Sequence, residues 1–271
     1  MPRELIDDEL WSLIEPLLPV RAPRSRRYAG RKPTPDRAVL TGIVFVLRSG
    51  IAWNLLPQEM GCGSGTACWR WLVAWQEAGV WQRIHETLLG ELRRRGQLDM
   101  ARAIVDSSSV RAMFGGKKTG PNPTDRRKLG SKHHLIVDAQ GIPLAIILTG
   151  ANRHDITQLD ALVEAIPPIR GKRGRHLRKP NIVQGDRGYS SEPHRQRLRR
   201  RGSITPVLAK IGSPHGSGLG KTRWVVERTI AWLHSFRRLK IRHERHAHIH
   251  EAFLSLACSL ICWSKLKPCM D

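Results

Sequence analysis

Three carboxylates stand out in a chain with 46 lysines and arginines against 23 aspartates and glutamates, a net charge of +23. Asp106 interrupts the apolar run Ala-Ile-Val, and Asp186 ends Asn-Ile-Val-Gln-Gly before a Gly-containing turn. Glu227 lies in a stretch where Val226, Ile230 and Leu233 recur at helical spacing. Steps of three and four from Glu227 reach Arg223, Ala231, His234 and Arg238, a second face with cations around one acid. Ionised Asp in a strand is expensive to bury unless a cation or donors compensate it. Three carboxylates with few soft ligands select hard cations, Mg2+ or Mn2+. Two such ions about 3.5–4 Å apart activate a water or hydroxyl and stabilise the leaving oxygen of a phosphodiester. Taken singly, each Asp also fits a turn former or surface partner. Arg223–Glu227 alone fits a surface pair worth a few tenths of a kcal/mol.

The acids need a frame. Residues 102–110 read as a strand, 132–138 and 142–150 as a β-hairpin, 156–166 as a helix and 181–186 as a short buried strand. A basic helix (191–201), a strand (203–208), the helix carrying Glu227 and a last helix (250–263) complete the order, which predicts a mixed α/β sheet with flanking helices. If the strands of Asp106 and Asp186 are neighbours, the two acids converge and Glu227 approaches from the helix across them. Upstream, 4–18, 36–50, about 66–78 and 80–95 read as helices with Trp-rich inner faces. The period changes near Gly96. The expected division is a small all-α N-terminal DNA-binding domain (1–97), with a basic arm over 21–37, and a catalytic domain (98–271).

The positive excess attracts polyanions. Hydrophobic content of 40% with nine Trp is too rich for a disordered basic tail. No run approaches 18 uncharged apolar residues and no signal-peptide pattern opens the chain, so no membrane span is expected. Five cysteines without CxxC pairs fit reduced thiols and a cytoplasmic, nucleoid-associated protein. HGSGLGKT (215–222) misses the P-loop pattern by one residue and reads as a phosphate-friendly loop. Asp138 fits a hairpin turn, and Asp155 a helix cap or a supporting acid. His133, His134 and the four His between 243 and 250 are expected at the surface or facing phosphates. The candidate DNA contacts are Arg31, Lys32, Lys172, Arg173, Arg195, Arg223, His234, Arg237 and Arg238.

Asp106 in AIVDSSSV, Asp186 in IVQGDRGYSS and Glu227 in RWVVERTIAWL resemble the acidic triad of bacterial insertion-sequence DDE transposases of the insertion-sequence-five and insertion-sequence-four type. SKHHLIVDAQGIPL, TGANRHDITQLDAL, GIAWNLLPQ and RHERHAHIHEAFLSLACSLICW extend the likeness over nearly the whole chain. The resemblance implies a ribonuclease-H-like catalytic fold with Mg2+, replaceable by Mn2+, held by Asp106, Asp186 and Glu227. It also implies DNA partners, namely terminal inverted repeats and target DNA, and a homodimer that brings two ends together. The implied chemistry is hydrolysis that frees 3′-hydroxyls, then their joining to target DNA. The family's third-acid signature, Tyr-x2-Arg-x3-Glu-x6-Lys, is matched at Arg223 and Glu227, while Gly220 and His234 stand in the Tyr and Lys places. Alternatives are a nuclease of the same fold without strand transfer, or a DNA-binding repressor from a decayed element.

Overall fold

The computed structural model describes residues 4–21, 33–202, 204–210, 212 and 220–267. Arg31, Lys32 and most of the 215–222 loop lie outside the described residues. Four helices come first: α1 (Asp8–Ile14), α2 (Asp36–Ser49), α3 (Gly65–Glu77) and α4 (Val80–Arg94). Asp7 and Ser64 cap α1 and α3 by accepting from the N–H groups of Leu10 and Ala67. Then come β1 (Arg102–Ala112), β2 (Gly120–Pro121), β3 (Leu129–Asp138), β4 (Pro143–Gly150), α5 (Leu159–Glu164) and β5 (Ile182–Gly185). The chain continues through α6 (Glu192–Arg200), β6 (Thr205–Leu208), α7 (Gly220–Ser235), α8 (Arg237–Lys240), β7 (Ile241–Arg242) and α9 (Ala247–Leu266).

β3 lies between β1 and β4, antiparallel to both, while β5 runs parallel to β1 on its other side and β6 parallel to β5. Three antiparallel strands followed by two parallel to the first make the ribonuclease-H-like mixed sheet that was expected. The two-residue strands β2 and β7, which extend this sheet along the far ends of β3 and β1, are too short to leave a periodic signal.

One apolar cluster runs from Leu47 and Leu88 through Val105 to Leu260. At its centre α9 packs against α3, α4, α7 and β4. By length and composition α9 could cross a membrane, but 78% of its apolar window is buried inside the protein. Cys62, Cys68, Cys258 and Cys262 are buried free thiols.

The placement of α7 decides the site. Thr229 Oγ1 donates to the Gly141 carbonyl (2.7 Å) and Arg228 Nη2 to that of Gln140 (2.6 Å), docking α7 on the β3–β4 turn. Gly141 has φ +89°, and a Cβ there would meet Thr229 Oγ1 at 2.9 Å, so this turn needs its glycine. Asp138 holds the turn as expected, accepting from the N–H groups of Gln140 (2.9 Å) and Ile142 (2.8 Å). At the start of α7, the Gln184 carboxamide donates to Thr222 Oγ1 (2.9 Å) and accepts from Arg102 (2.9 Å), which ties the helix to β5 and β1.

Candidate active site

β5 pairs with Arg102–Ile104 of β1, with Ile104 opposite Gln184. Two further residues along each strand bring Asp106 level with Asp186. Gly185 ends β5 there, and Asp186 caps a short 3-10 helix (Arg187–Tyr189), accepting from Gly188 N–H at 2.9 Å. Asp106 accepts from Ser107 N–H at 2.8 Å. Its pKa is pushed up to about 6, chiefly by burial, with repulsion from Asp186 and Glu227 adding to the shift. The Ser107 N–H and the Arg223 charge pull the other way. Glu227 rises from α7 and is half-exposed.

Arg223 joins the acids. Its Nε and Nη2 donate to Glu227 Oε1 at 3.1 and 2.7 Å, and its Nη1 stands 3.4 Å from Asp186 Oδ2. Burial works against its charge, but the Glu227 bond and the Asp106, Asp186 and Glu227 carboxylates outweigh it and raise its pKa. Arg223 therefore faces carboxylates, where a phosphate contact was expected.

A second layer surrounds these groups. Asp155 Oδ1 accepts from Ser107 Oγ (2.8 Å) and Lys132 Nζ (2.9 Å). A Cβ on Gly188 would stand 3.1 Å from Asp186 Oδ1 and 3.5 Å from Asp155 Oδ2, so both carboxylates flank that glycine. The buried Tyr189 ring lies beside them, and its pKa is raised by burial and by Asp155, Asp106 and Asp186. Sequence reasoning missed Ser107, Lys132 and Tyr189; Ser107 and Tyr189 lie within three residues of Asp106 and Asp186, while Lys132, on β3, has no such signal.

Among the described residues, no three His, Cys, Asp or Glu side chains stand close enough to hold a metal ion together. Glu227 is drawn to Arg223. The donor set still suits a hard cation: every donor is a carboxylate oxygen, and Asp186 and Glu227 add to the upward shift that burial gives Asp106, a repulsion that a cation would offset.

Several expected DNA contacts are placed elsewhere. Arg238 is buried, bonded to Glu244 Oε1 (2.7 Å) and the Ile51 carbonyl (2.8 Å), so it holds α8 to the segment after α2. Arg195 is also buried and donates to the Leu208 carbonyl at the end of β6 (3.0 Å). Neither faces a phosphate. His234 is half-buried, its Nε2 has no hydrogen-bond partner, and its ring lies 6.1 Å from that of His133. His133 and His134 are buried, contrary to the expected surface positions. His133 meets His250 (2.9 Å) and His134 meets Thr149 (2.8 Å). Arg237, Lys172 and Arg173 are exposed.

The family described as "Transposase DDE domain" matches residues 98–262, and that described as "Putative transposase of IS4/5 family" matches residues 6–85. The chain is 63% identical over 166 residues to "Putative transposase for insertion sequence element IS402" of Burkholderia cepacia, covering 61% of this chain and 76% of that protein. A 16.2 kDa protein of the same element is 58% identical over 123 residues, 45% of this chain and 84% of its own. The transposase of element IS1106 from Neisseria meningitidis serogroup B is 31% identical over 130 residues, 45% of this chain and 40% of its own. The acids on neighbouring strands and the whole-family match lead to one conclusion: this chain belongs to the insertion-sequence DDE transposases of the IS4/5 type.

Proposed function

We propose that this transposase cuts phosphodiester bonds at insertion-sequence ends and joins the freed 3′-hydroxyls to target DNA. Asp106, Asp186 and Glu227 would hold divalent cations, Mg2+ or Mn2+. Such cations activate the attacking oxygen and stabilise the leaving one. Asp106 and Asp186 offer oxygens from β1 and from the residue after β5, and Glu227 would have to leave Arg223 to join them. Arg223, released from Glu227, would face the scissile phosphate as a two-pronged donor. The Ser107 N–H fixes one oxygen of the Asp106 carboxylate, and Asp155 holds the Ser107 hydroxyl.

The observation that supports this reading best is the level placement of Asp106 and Asp186 with Arg223 between Asp186 and Glu227. Residues 1–97, with the arm containing Arg31 and Lys32, would read the ends, while 98–271 carry the chemistry. Exposed Lys172, Arg173 and Arg237 would meet the DNA backbone. Two protomers would pair two ends, in the cytoplasm at the nucleoid.

The test is incubation of the protein with a duplex carrying its element end, in Mg2+, with cut positions mapped on both strands. Asp106→Asn, Asp186→Asn and Glu227→Gln should each abolish cutting and leave duplex affinity equal or tighter. Full cutting by any one of them removes that acid from the site. Binding with no cutting by the unaltered protein would favour the repressor reading.

A further inference from the structure

We propose that Met113 and Phe114, at the turn ending β1, form an apolar wedge that enters a groove of duplex DNA and unstacks a base step. Phe114 is 57% exposed and Met113 45%, with Leu129 (49%) and Ile241 (38%) beside them on β3 and β7. A Cβ on Gly115 would stand 3.6 Å from Leu129 Cδ1, Ile241 lies opposite Arg111, and the Phe114 ring, 6.3 Å from that of His243, keeps more than half its surface open.

The surroundings identify the partner. Arg111, Lys117, Arg126, Arg127, Lys128 and Arg245 are all exposed around the patch, and the Arg245 guanidinium lies 5.9 Å from the Phe114 ring. The nearby acids are the half-buried Asp125 and Glu251, and Glu251 is paired with Lys118 at 2.6 Å. The core of a protein–protein interface is depleted in charge, whereas DNA interfaces are strongly positive. Apolar side chains flanked by Arg and Lys are the means by which proteins pry base steps apart.

A wedge must also be rigid. Arg242 is buried and donates to the carbonyls of Lys117 (2.8 Å), Lys118 (3.1 Å), Glu244 (2.8 Å) and Arg245 (3.2 Å), and to Ser131 Oγ (2.7 Å). One guanidinium thus clamps the loop after Phe114 to the loop carrying Arg245. The two backbones meet at Gly116 (φ +107°), where a Cβ would lie 2.1 Å from the Arg245 carbonyl oxygen. Met113 N–H is itself bonded to the Arg242 carbonyl at 2.9 Å.

Seven steps along β1 and its end separate Asp106 from Met113, about 23 Å at about 3.3 Å per residue. That spans about seven base pairs at 3.4 Å each, so one duplex could reach both. Only this spacing rests on reading the acids as the cutting site.

The test uses the full chain and a duplex with 2-aminopurine moved along one strand and a donor–acceptor dye pair at its ends. The unaltered protein should brighten the probe at one step and shorten the end-to-end distance. Phe114→Ala should lose both signals and bind roughly three- to tenfold more weakly, while Phe114→Leu keeps most of each. Circular dichroism and sedimentation of each variant accompany the binding data. Unstacking by Phe114→Ala equal to that of the unaltered protein overturns the proposal. So does a variant that changes only self-association, which would make the patch an interface between copies. A duplex that is unstacked but never cut leaves the wedge standing and removes the cleavage reading. A duplex that is cut but never unstacked does the reverse.

Discussion

Arg223 grips Glu227 with two donors on one carboxylate oxygen, at 3.1 and 2.7 Å, while its remaining nitrogen reaches toward Asp186. A single cation thus offsets two of the three site acids, in the place where divalent ions would act. As a half-exposed pair one helical turn apart, it is worth only about 0.3–0.5 kcal/mol to the fold. Arg223→Gln should therefore shift the urea midpoint little, but tighten Mn2+ binding several-fold because its competitor is gone. Calorimetric titration of Mn2+ into both proteins checks this. Equal affinities would mean that Glu227 does not take part in metal binding.

Asp155 acts through Ser107. Its Oδ1 accepts from the Ser107 hydroxyl and the Lys132 ammonium, and the Ser107 N–H in turn holds Asp106. Asp155→Asn replaces an anionic acceptor by a neutral one beside Lys132, loosening that support. We expect end cutting to slow roughly tenfold, in the range seen when residues behind metal ligands are altered. Affinity for the uncut duplex should stay within about twofold. Unchanged cutting would reduce Asp155 to the first residue of the 3-10 helix Asp155–Gln158 that precedes α5.

Glu244 gives the clearest pH dependence. Burial alone would raise its pKa, but the His250 hydrogen bond and the Arg238 charge and bond overcome it and hold the carboxyl at about 2. A folded pKa below the unfolded value stabilises the protein above about pH 4.5, and that stability is lost as pH falls toward 2. Glu244→Gln leaves Arg238 buried without its partner and should cost about 3–5 kcal/mol at pH 7. The gap from the unaltered protein should narrow through the acid window. Urea melts at a series of pH values measure it, and a constant gap would mean that the carboxylate charge is not what matters.

The sheet was legible because its strands are apolar runs bounded by turn residues, and Asp106 and Asp186 were legible as acids breaking or ending those runs. The helix of Glu227 was legible from its period. Arg238 was misread because the step from Glu227 assumes one continuous helix. Ser235 ends α7 and the extended Phe236 starts a new direction, so residue 238 no longer shares the face of residue 227. Arg195 does share a basic helix, but the carbonyl it satisfies belongs to β6, and helical spacing says nothing about an unmet acceptor on another element. His133 and His134 were misread because β3 is buried on both faces, which removes the alternation that separates inside from outside.

His234 shows how packing changes a prediction made from a motif. Seven residues from Glu227 on α7, it stands in the family's Lys place, where an exposed imidazole would charge near pH 6 and meet a phosphate. Instead the ring is half-buried beside His133, and its pKa is lowered by burial first and by Lys240 second. A folded His pKa below the unfolded value means stability that is present above about pH 6.5 and lost as pH falls below it. Burial therefore shifts the imidazole toward its neutral form. His234→Ala should change duplex affinity by more nearly equal factors at pH 6 and pH 8 than loss of an exposed imidazole would. His234→Lys would push an ammonium toward the buried His133 ring and should lower the urea midpoint, equivalent to about 1–3 kcal/mol. Melts at pH 7.5 and binding at the two pH values decide it. A Lys variant as stable as the unaltered protein, with tighter duplex binding, would mean that the side chain at 234 reaches solvent along α7 and meets the phosphate after all.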